Sequence, residues 1–186
     1  MTLQEALAIL VPNLGNDAVR VCSNGFMSRA AYGAGDHEGC FYMIGSMGLA
    51  SSIGLGVALA QPSRRVVVLD GDGNVLMSTG VLASVGAAGA RNLLHVVLDN
   101  EAHGSTGDQR TISGQVRLEE IAKASGYRWA ERVPAERLAS ELPRFLAREG
   151  PAMLLVKVDK GNVHGIARVI HEPPEIAARF ARACRA

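Results

Sequence analysis

The sequence predicts an α/β fold: a doubly wound, mostly parallel sheet sandwiched by helices. Three observations carry this. Short runs rich in Val and Leu alternate along the chain with stretches of helical apolar spacing. Two of the runs, 65–70 and 93–99, are separated by enough residues for one helix and two turns, which is what a parallel βαβ crossover needs. Finally, 186 residues of which 48% are apolar and 20% charged have the composition of a globular protein, and they suffice for one domain, 1–186, with a real core.

Taken in order, residues 3–13 place Leu3, Ala6, Leu7, Leu10 and Val11 on one helical face, and 18–22 read as a short strand followed by a Ser23-Asn24-Gly25 turn. Residues 25–40 are polar and glycine-rich, a loop with a short helix around 28–32. A helix of small residues follows at 48–60, with Pro62 beyond its end. The βαβ unit has strands 65–70 and 93–99 and a helix over 75–88. Residues 100–116 read as a polar loop, 118–125 as a helix capped by Gly126, and 127–133 as a strand. Pro134 suits a first helical turn, so 135–148 are expected as an amphipathic helix, broken by Gly150-Pro151. A last strand, 152–158, an irregular stretch, 159–173, and a helix, 174–185, with Ile176, Phe180 and Ala183 on one face complete the chain.

The net charge of +1 and the lack of a basic run imply no nucleic-acid partner, and 4% aromatic residues provide no stacking platform. The apolar stretches are broken by Gly and Ser before they reach membrane-spanning length, and no secretory leader pattern opens the chain. Cys22, Cys40 and Cys184 are odd in number and lack metal spacing, which suits free thiols in a reducing cytoplasm.

The chemistry concentrates between residues 66 and 111. The first βαβ strand runs into Asp70-Gly71-Asp72-Gly73-Asn74 and the second into Asp99-Asn100. In a βαβ unit both strand ends lie on one edge of the sheet, where open α/β sheets bind ligands, so Asp72 and Asn100 can meet. A carboxylate and an amide oxygen are hard donors suited to Mg²⁺ or Ca²⁺, and Mg²⁺ commonly completes its shell with phosphate oxygens. Gly71 and Gly73 allow close backbone approach, and N–H groups at the start of the following helix favour an anion. A metal-bound diphosphate fits all of this, although Gly-Asp-Gly by itself is more often a plain turn. Asp70-x-Asp72-x-Asn74 also begins like a calcium loop, but Val75 and Val81 stand where that loop needs Gly and Glu. Gly54-x-Gly56 lies within a helical pattern rather than after a strand, so it is no dinucleotide fingerprint, and no nucleophile elbow surrounds Ser105.

Gly71-Asp72-Gly73 followed after about twenty-five residues by Asp99-Asn100 resembles the diphosphate-binding signature of thiamine diphosphate enzymes, whose second half is usually Asn-Asn. The run 41–50 resembles the segment that holds the aminopyrimidine ring, and 100–109 resembles a loop of sulfopyruvate and phosphonopyruvate decarboxylases, above all of the sulfopyruvate decarboxylase beta-subunit family. The likeness covers about residues 1–160. It implies the thiamine diphosphate-binding fold and a 2-oxo acid decarboxylase that needs thiamine diphosphate and Mg²⁺. The metal would be held by Asp72, Asn100 and the backbone oxygen of Ala102. The cofactor would contact Gly45, Ser46, Met47, Gly71, Asp72, Gly73, Asn74, Asn100, Ala102 and His103. Met47 would otherwise be read as core; within the resemblance it is the apolar wedge under the bent cofactor. His103 sits in the loop just after Asn100 and is the candidate for reaching the substrate.

These enzymes draw an activating glutamate from a separate pyrimidine-binding domain, and this chain carries the features of the diphosphate domain alone. The resemblance therefore implies an alpha-type partner chain and a hetero-oligomer, with the glycine-rich 25–60 region as a candidate interface. Two other readings stand beside it. One is the equivalent half of another thiamine diphosphate enzyme, such as an acetolactate synthase or an oxidoreductase; the other is a non-enzymatic nucleotide- or metal-binding module. Of the remaining histidines, His95 reads as a core or interface residue within an apolar strand, and His37, His164 and His171 as solvated. Glu101 is expected to turn away from the metal.

Overall fold

The computed structural model describes residues 1–161 and 165–185. Their centre is a six-stranded sheet, ordered β2-β1-β3-β4-β8-β7, with every neighbouring pair parallel. Its strands are β1 (Val19–Cys22), β2 (Cys40–Tyr42), β3 (Val66–Gly71), β4 (Leu93–Asp99), β7 (Trp129–Pro134) and β8 (Ala152–Lys157). All seven residues of β4 are buried, as are all four of β1. A parallel strand covered on both faces has no polar side, which explains why these segments read as continuous apolar runs.

The helices divide between the faces. On one side α1 (Leu3–Asn13), α2 (Phe26–Ala34) and α7 (Leu138–Leu146) pack against Val67, Leu69, Leu94, Val96, Leu98 and Leu154. On the other α3 (Ala50–Ala60), α4 (Asp72–Met77), α5 (Val81–Ala88) and α6 (Leu118–Ala124) cover Val66, Val68, Leu93, Val97, Met153 and Leu155. The start of α1 is set by a capping box: Glu5 N–H donates to Thr2 Oγ1 at 3.3 Å, and Thr2 N–H donates to Glu5 Oε2 at 2.7 Å. The last helix, α8 (Pro173–Arg185), lies along β2, with Phe180 against Phe41 at 5.2 Å between ring centroids. It covers an edge strand that would otherwise offer unpaired backbone.

Several elements depart from expectation. Asp72 does not end β3; the strand ends at Gly71 and Asp72 is the first residue of α4. The single helix expected over 75–88 is two, interrupted at Ser78-Thr79-Gly80, where Thr79 Oγ1 donates back to Val75 O. Polar, β-branched and glycine residues in succession are poor helix formers. Helix α2 is longer than the 28–32 segment, and β2 begins at the last residue of the expected loop, 25–40, and runs into 41–42, where no element was expected. The polar loop 100–116 contains an antiparallel ribbon of β5 (Ala102–His103) and β6 (Gln109–Arg110), joined by a 3₁₀ turn over Gly104–Thr106. Pro134 closes β7, and a 3₁₀ turn, Ala135–Arg137, precedes α7.

Two histidines are not solvated as expected. His171 lies between Asp36 Oδ2 (3.0 Å from Nε2) and Glu175 Oε1 (2.9 Å from Nδ1) and edge-on to Tyr32. His37 is half-buried and accepts the Gly39 N–H at Nδ1, and burial lowers its pKa. His164 lies outside the described residues. No described helix is long and apolar enough to cross a membrane.

Candidate active site

From β1 the chain passes through α2 to β2, toward one edge of the sheet; from β3 it passes through α4 and α5 to β4, toward the other. The loops leaving β1 and β3 diverge, and at such a switch point a doubly wound sheet opens a crevice beyond its strand ends. A cleft lies there. Ser23 and Asn24 line it after β1, Gly71 to Asn74 after β3, and Asn100, Ala102 and His103 after β4, with Met47 entering from the segment before α3.

The three candidate metal ligands, Asp72, Asn100 and Ala102, thus share one cleft. Asp72 is buried. Its Oδ2 accepts a hydrogen bond from Thr111 Oγ1 and lies 3.0 Å from Ser113 Oγ, which is also 2.8 Å from Asp99 Oδ1. Ser113 has one hydroxyl proton and cannot serve both carboxylates at once. Burial raises the Asp72 pKa; the Thr111 hydroxyl opposes this, and the Asp99 charge adds to the rise. Among the described residues no cationic side chain pairs with Asp72. A buried carboxylate that shares a hydroxyl with a second one and has no cationic partner among the described residues fits a bound cation, and the oxygen-only donor set fits Mg²⁺. No cluster of three or more His, Cys, Asp or Glu side chains suited to a metal occurs among the described residues, and this donor set, one carboxylate with amide and backbone oxygens, is of another kind.

Asp99, which stands where the thiamine diphosphate signature usually has Asn, is accounted for by its neighbour in the sheet. Asp99 and Lys157 are register partners on β4 and β8, and Lys157 Nζ donates to Asp99 Oδ2 at 2.9 Å and to Glu101 Oε1 at 2.7 Å. The other Asp99 oxygen accepts the Glu101 N–H at 3.1 Å. Asn100 Oδ1 accepts the Ala102 N–H at 3.1 Å, so two successive side-chain turns shape the chain between the two metal candidates. Glu101 sits at φ +57°, a left-handed conformation uncommon outside glycine. It faces Lys157 and Gly114 rather than the cleft, as expected.

Gly73 is where absence of a side chain matters. A Cβ there would lie 2.5 Å from His103 Nδ1 and 3.3 Å from Met47 Cε. The His103 ring therefore rests on the diphosphate loop, with the Met47 tip beside it. Met47 lines the cleft and belongs to neither core cluster. Gly45 and Ser46 do not line this cleft; they border an adjoining apolar groove with Ile44, Ile53 and Ile176. Ser46 has φ +56° and Gly48 φ +98°, so the segment turns tightly before α3.

Sequence reasoning missed the supporting residues. Thr111, Ser113 and Lys157 carry no local signal, because their roles come from chain reversal and cross-strand register. Asp70 and His95 did carry one, each being ionisable within an apolar strand. They are fully buried, with His95 Nε2 3.1 Å from Asp70 Oδ2. Asn74 was read as a diphosphate donor, but both ends of its side chain are engaged: Nδ2 donates to Asp70 Oδ1 and Oδ1 accepts the Gly48 N–H, each at 2.6 Å. Its backbone N–H, in the first turn of α4, remains the candidate donor.

Residues 22–156 match the family described as "Thiamine pyrophosphate enzyme, C-terminal TPP binding domain"; thiamine pyrophosphate is another name for thiamine diphosphate. Phosphonopyruvate decarboxylase of Streptomyces viridochromogenes is 45% identical over 94% of this chain, which spans only 44% of that protein. Sulfopyruvate decarboxylase subunit beta of Methanothermobacter thermautotrophicus is 40% identical over 91% of this chain and 88% of its own length. The corresponding subunit of Methanococcus maripaludis is 35% identical over 100% and 98% respectively. Among solved structures, the thiamine diphosphate-dependent 4-hydroxybenzoylformate decarboxylase of Rhodococcus jostii superposes with a TM-score of 0.74 at 22% identity, covering 88% of this chain and 33% of that one, a likeness of fold. With the sequence match spanning both halves of the cleft, the chain belongs to the thiamine pyrophosphate enzyme family, as its C-terminal cofactor-binding domain.

Proposed function

We propose that this chain is the diphosphate-binding half of a thiamine diphosphate- and Mg²⁺-dependent 2-oxo acid decarboxylase. It would convert 3-sulfopyruvate to sulfoacetaldehyde together with an alpha-type chain that carries the pyrimidine domain and its glutamate. The observation that carries this reading is the buried Asp72 carboxylate, without a cation of its own, in one cleft with Asn100, Ala102, Gly73 and Met47. That relatives 40% and 35% identical to this chain are named as beta subunits supports the division into two chains. Phosphonopyruvate is the second substrate reading, favoured by the 45% identity to a phosphonopyruvate decarboxylase. Either substrate carries an anionic group next to a 2-oxo acid.

Asp72, the Asn100 side chain and the Ala102 carbonyl would hold the metal, and backbone N–H groups of Gly73 and Asn74 would face the diphosphate. The Gly45 carbonyl would accept a hydrogen bond from the aminopyrimidine, and Met47 would press between the two rings. Bound thiamine diphosphate supplies the electron sink that lets a 2-oxo acid lose CO₂. His103, Ser105 and Thr106 border the cleft and would be the side chains to meet the substrate's second anion. Met47 and the His103 ring stand beside Gly73 and would help exclude water from the bound cofactor.

The test is CO₂ release by this chain mixed with its partner, thiamine diphosphate and Mg²⁺, across 3-sulfopyruvate, phosphonopyruvate and pyruvate. Activity on 3-sulfopyruvate well above pyruvate is expected; equal rates on all three would remove the anion-selective pocket. Asp72→Ala should abolish Mg²⁺-dependent cofactor binding by calorimetry while the circular dichroism spectrum is retained. Unchanged cofactor affinity in that variant would end the metal assignment.

A further inference from the structure

A continuous chain of buried polar groups runs from the middle of the sheet to the loop that carries Met47. Tyr127, behind α6, places its hydroxyl 3.2 Å from His95 Nδ1. His95 and Asp70 lie on the same face of adjacent strands as diagonal neighbours, since Val68 pairs with His95 and Asp70 with Val97. Asp70 Oδ1 takes the Gly71 N–H at 2.9 Å and the Asn74 amide at 2.6 Å, and Asn74 Oδ1 takes the Gly48 N–H at 2.6 Å. Asp70, His95, Asn74 and Tyr127 are all at most 5% exposed.

A carboxylate only accepts, so Asn74 must turn its NH₂ to Asp70 and its oxygen to Gly48. For the same reason His95 turns a protonated Nε2 to Asp70. Burial, and then the Asp70 charge, push the Tyr127 phenol well above its ordinary pKa, so it keeps its proton. A neutral imidazole with its proton on Nε2 accepts that O–H at Nδ1. Every side-chain group in the series is satisfied, and reversing the amide of Asn74 would set two oxygens against each other. In a low-dielectric interior that makes the amide orientation costly to change.

What this orientation holds is the turn of residues 45–48. That turn contains Ser46 and Gly48 at positive φ and packs over Ser78, 2.7 Å from where a Gly48 Cβ would stand. Its backbone conformation is sparsely populated and needs outside support. We propose that Asp70, His95 and Tyr127 are positioning residues: through Asn74 they lock the Gly48 N–H, and thereby set the height of Met47 over the diphosphate loop. The catalytic consequence rests on the decarboxylase reading; the mechanical linkage does not.

Two measurements separate them. Amide hydrogen exchange of the full chain, read at Gly48 and Leu49, tests the linkage without cofactor. Asn74→Ala and His95→Phe should each speed exchange there by at least tenfold while α1 and β4 keep their protection; His95→Gln, whose amide can still donate to Asp70, should restore most of it. Tyr127→Phe, which deletes only the hydroxyl, should give a smaller rise of the same pattern. If His95→Phe does not fold, Asn74→Ala and Tyr127→Phe decide the matter alone. Loss of stability spread over the whole chain, with Gly48 and Leu49 no more affected than β4, would overturn the proposal. In the reconstituted enzyme, His95→Phe and Tyr127→Phe should lower kcat at saturating cofactor more than they raise the cofactor KM, and His95→Gln should recover most of the rate. A change in KM alone would overturn the role in setting Met47. An enzyme with no activity in any form would count against the decarboxylase reading, and the exchange result would still stand.

Discussion

At the scale of single residues, the departure of Asp99 from the usual Asn is a charge balanced one strand away. Asp99 is fully buried and Lys157 is its direct register partner. Removing one member of a buried pair costs more than removing both, because the survivor is left charged and unpaired. Lys157→Met should therefore destabilise the chain by roughly 3 kcal/mol, the low end for a buried pair because Lys157 is partly exposed. Asp99→Asn should cost less, since Lys157 keeps Glu101, and the double variant should recover much of what Lys157→Met loses. Urea unfolding of the three variants checks this; a Lys157→Met stability within 0.5 kcal/mol of the parent, the scatter of an ordinary surface change, would mean the pair carries no net weight. The convergence of Asp72, Gly73 and Asn100 on one cleft was legible in the sequence, because their type and spacing suit a metal diphosphate and a βαβ unit brings both strand ends to one edge. Their supports were not. Lys157 is 58 positions from Asp99, and only the order of the strands brings them together.

At the scale of elements, legibility followed length and apolar periodicity. β3, β4, β8, α1 and α3 were read within a residue or two because each buries a continuous face. β2 has three residues and owes its existence to pairing with β1, so no local pattern announces it. The 102–110 ribbon is likewise held by two pairs of residues and is polar throughout its second strand. The contact between α5 and α6 depends on glycine, since a Cβ at Gly86 would lie 1.7 Å from the Ser125 carbonyl oxygen. Backbone cannot yield as a side-chain tip can, so Gly86→Ala should cost about 3 kcal/mol or more. Gly89→Ala is the control: nothing lies within 4 Å, and its φ of +61° predicts a loss of only about 1 kcal/mol. Equal melting temperatures for the two would refute the close-packing account. The edge helix α8 should show a pH dependence. Burial would raise the Asp36 pKa, but hydrogen bonds from His171, Arg179 and Tyr42 outweigh it and hold the pKa below its ordinary 3.8. A depressed carboxylate stabilises the folded state above the unfolded pKa, and that contribution fades as pH falls through the lower folded value. Asp36→Asn should thus lower the melting temperature at pH 7, and the gap to the parent should close below about pH 4. A gap independent of pH would assign the loss to packing instead.

At the scale of the whole molecule, the cleft would hold one end of an extended ligand. The candidate metal ligands share the cleft at the strand ends, whereas the segment expected to meet the aminopyrimidine, 41–50, turns large apolar side chains outward: Ile44 is 71% exposed and Leu49 44%. Met77, against the Gly48 turn, is 61% exposed. Large apolar side chains grouped beside an open ligand site suit burial against another polypeptide. The chain also spans less than half of the phosphonopyruvate decarboxylases it resembles, and nearly all of two beta subunits. If the pyrimidine pocket and its glutamate come from a second chain, this one alone should fold, bind thiamine diphosphate weakly and release no CO₂. Titrating the pyrimidine-domain chain into a fixed amount of it should then raise activity linearly to a sharp break at a fixed ratio, because every site needs both. Met77→Ser should shift that titration toward higher partner concentrations without changing the final rate, since Met77 lies outside both the cleft and the segment expected to meet the aminopyrimidine. Full activity from this chain alone would mean that the shared-site account is wrong and that the exposed apolar group serves some other contact.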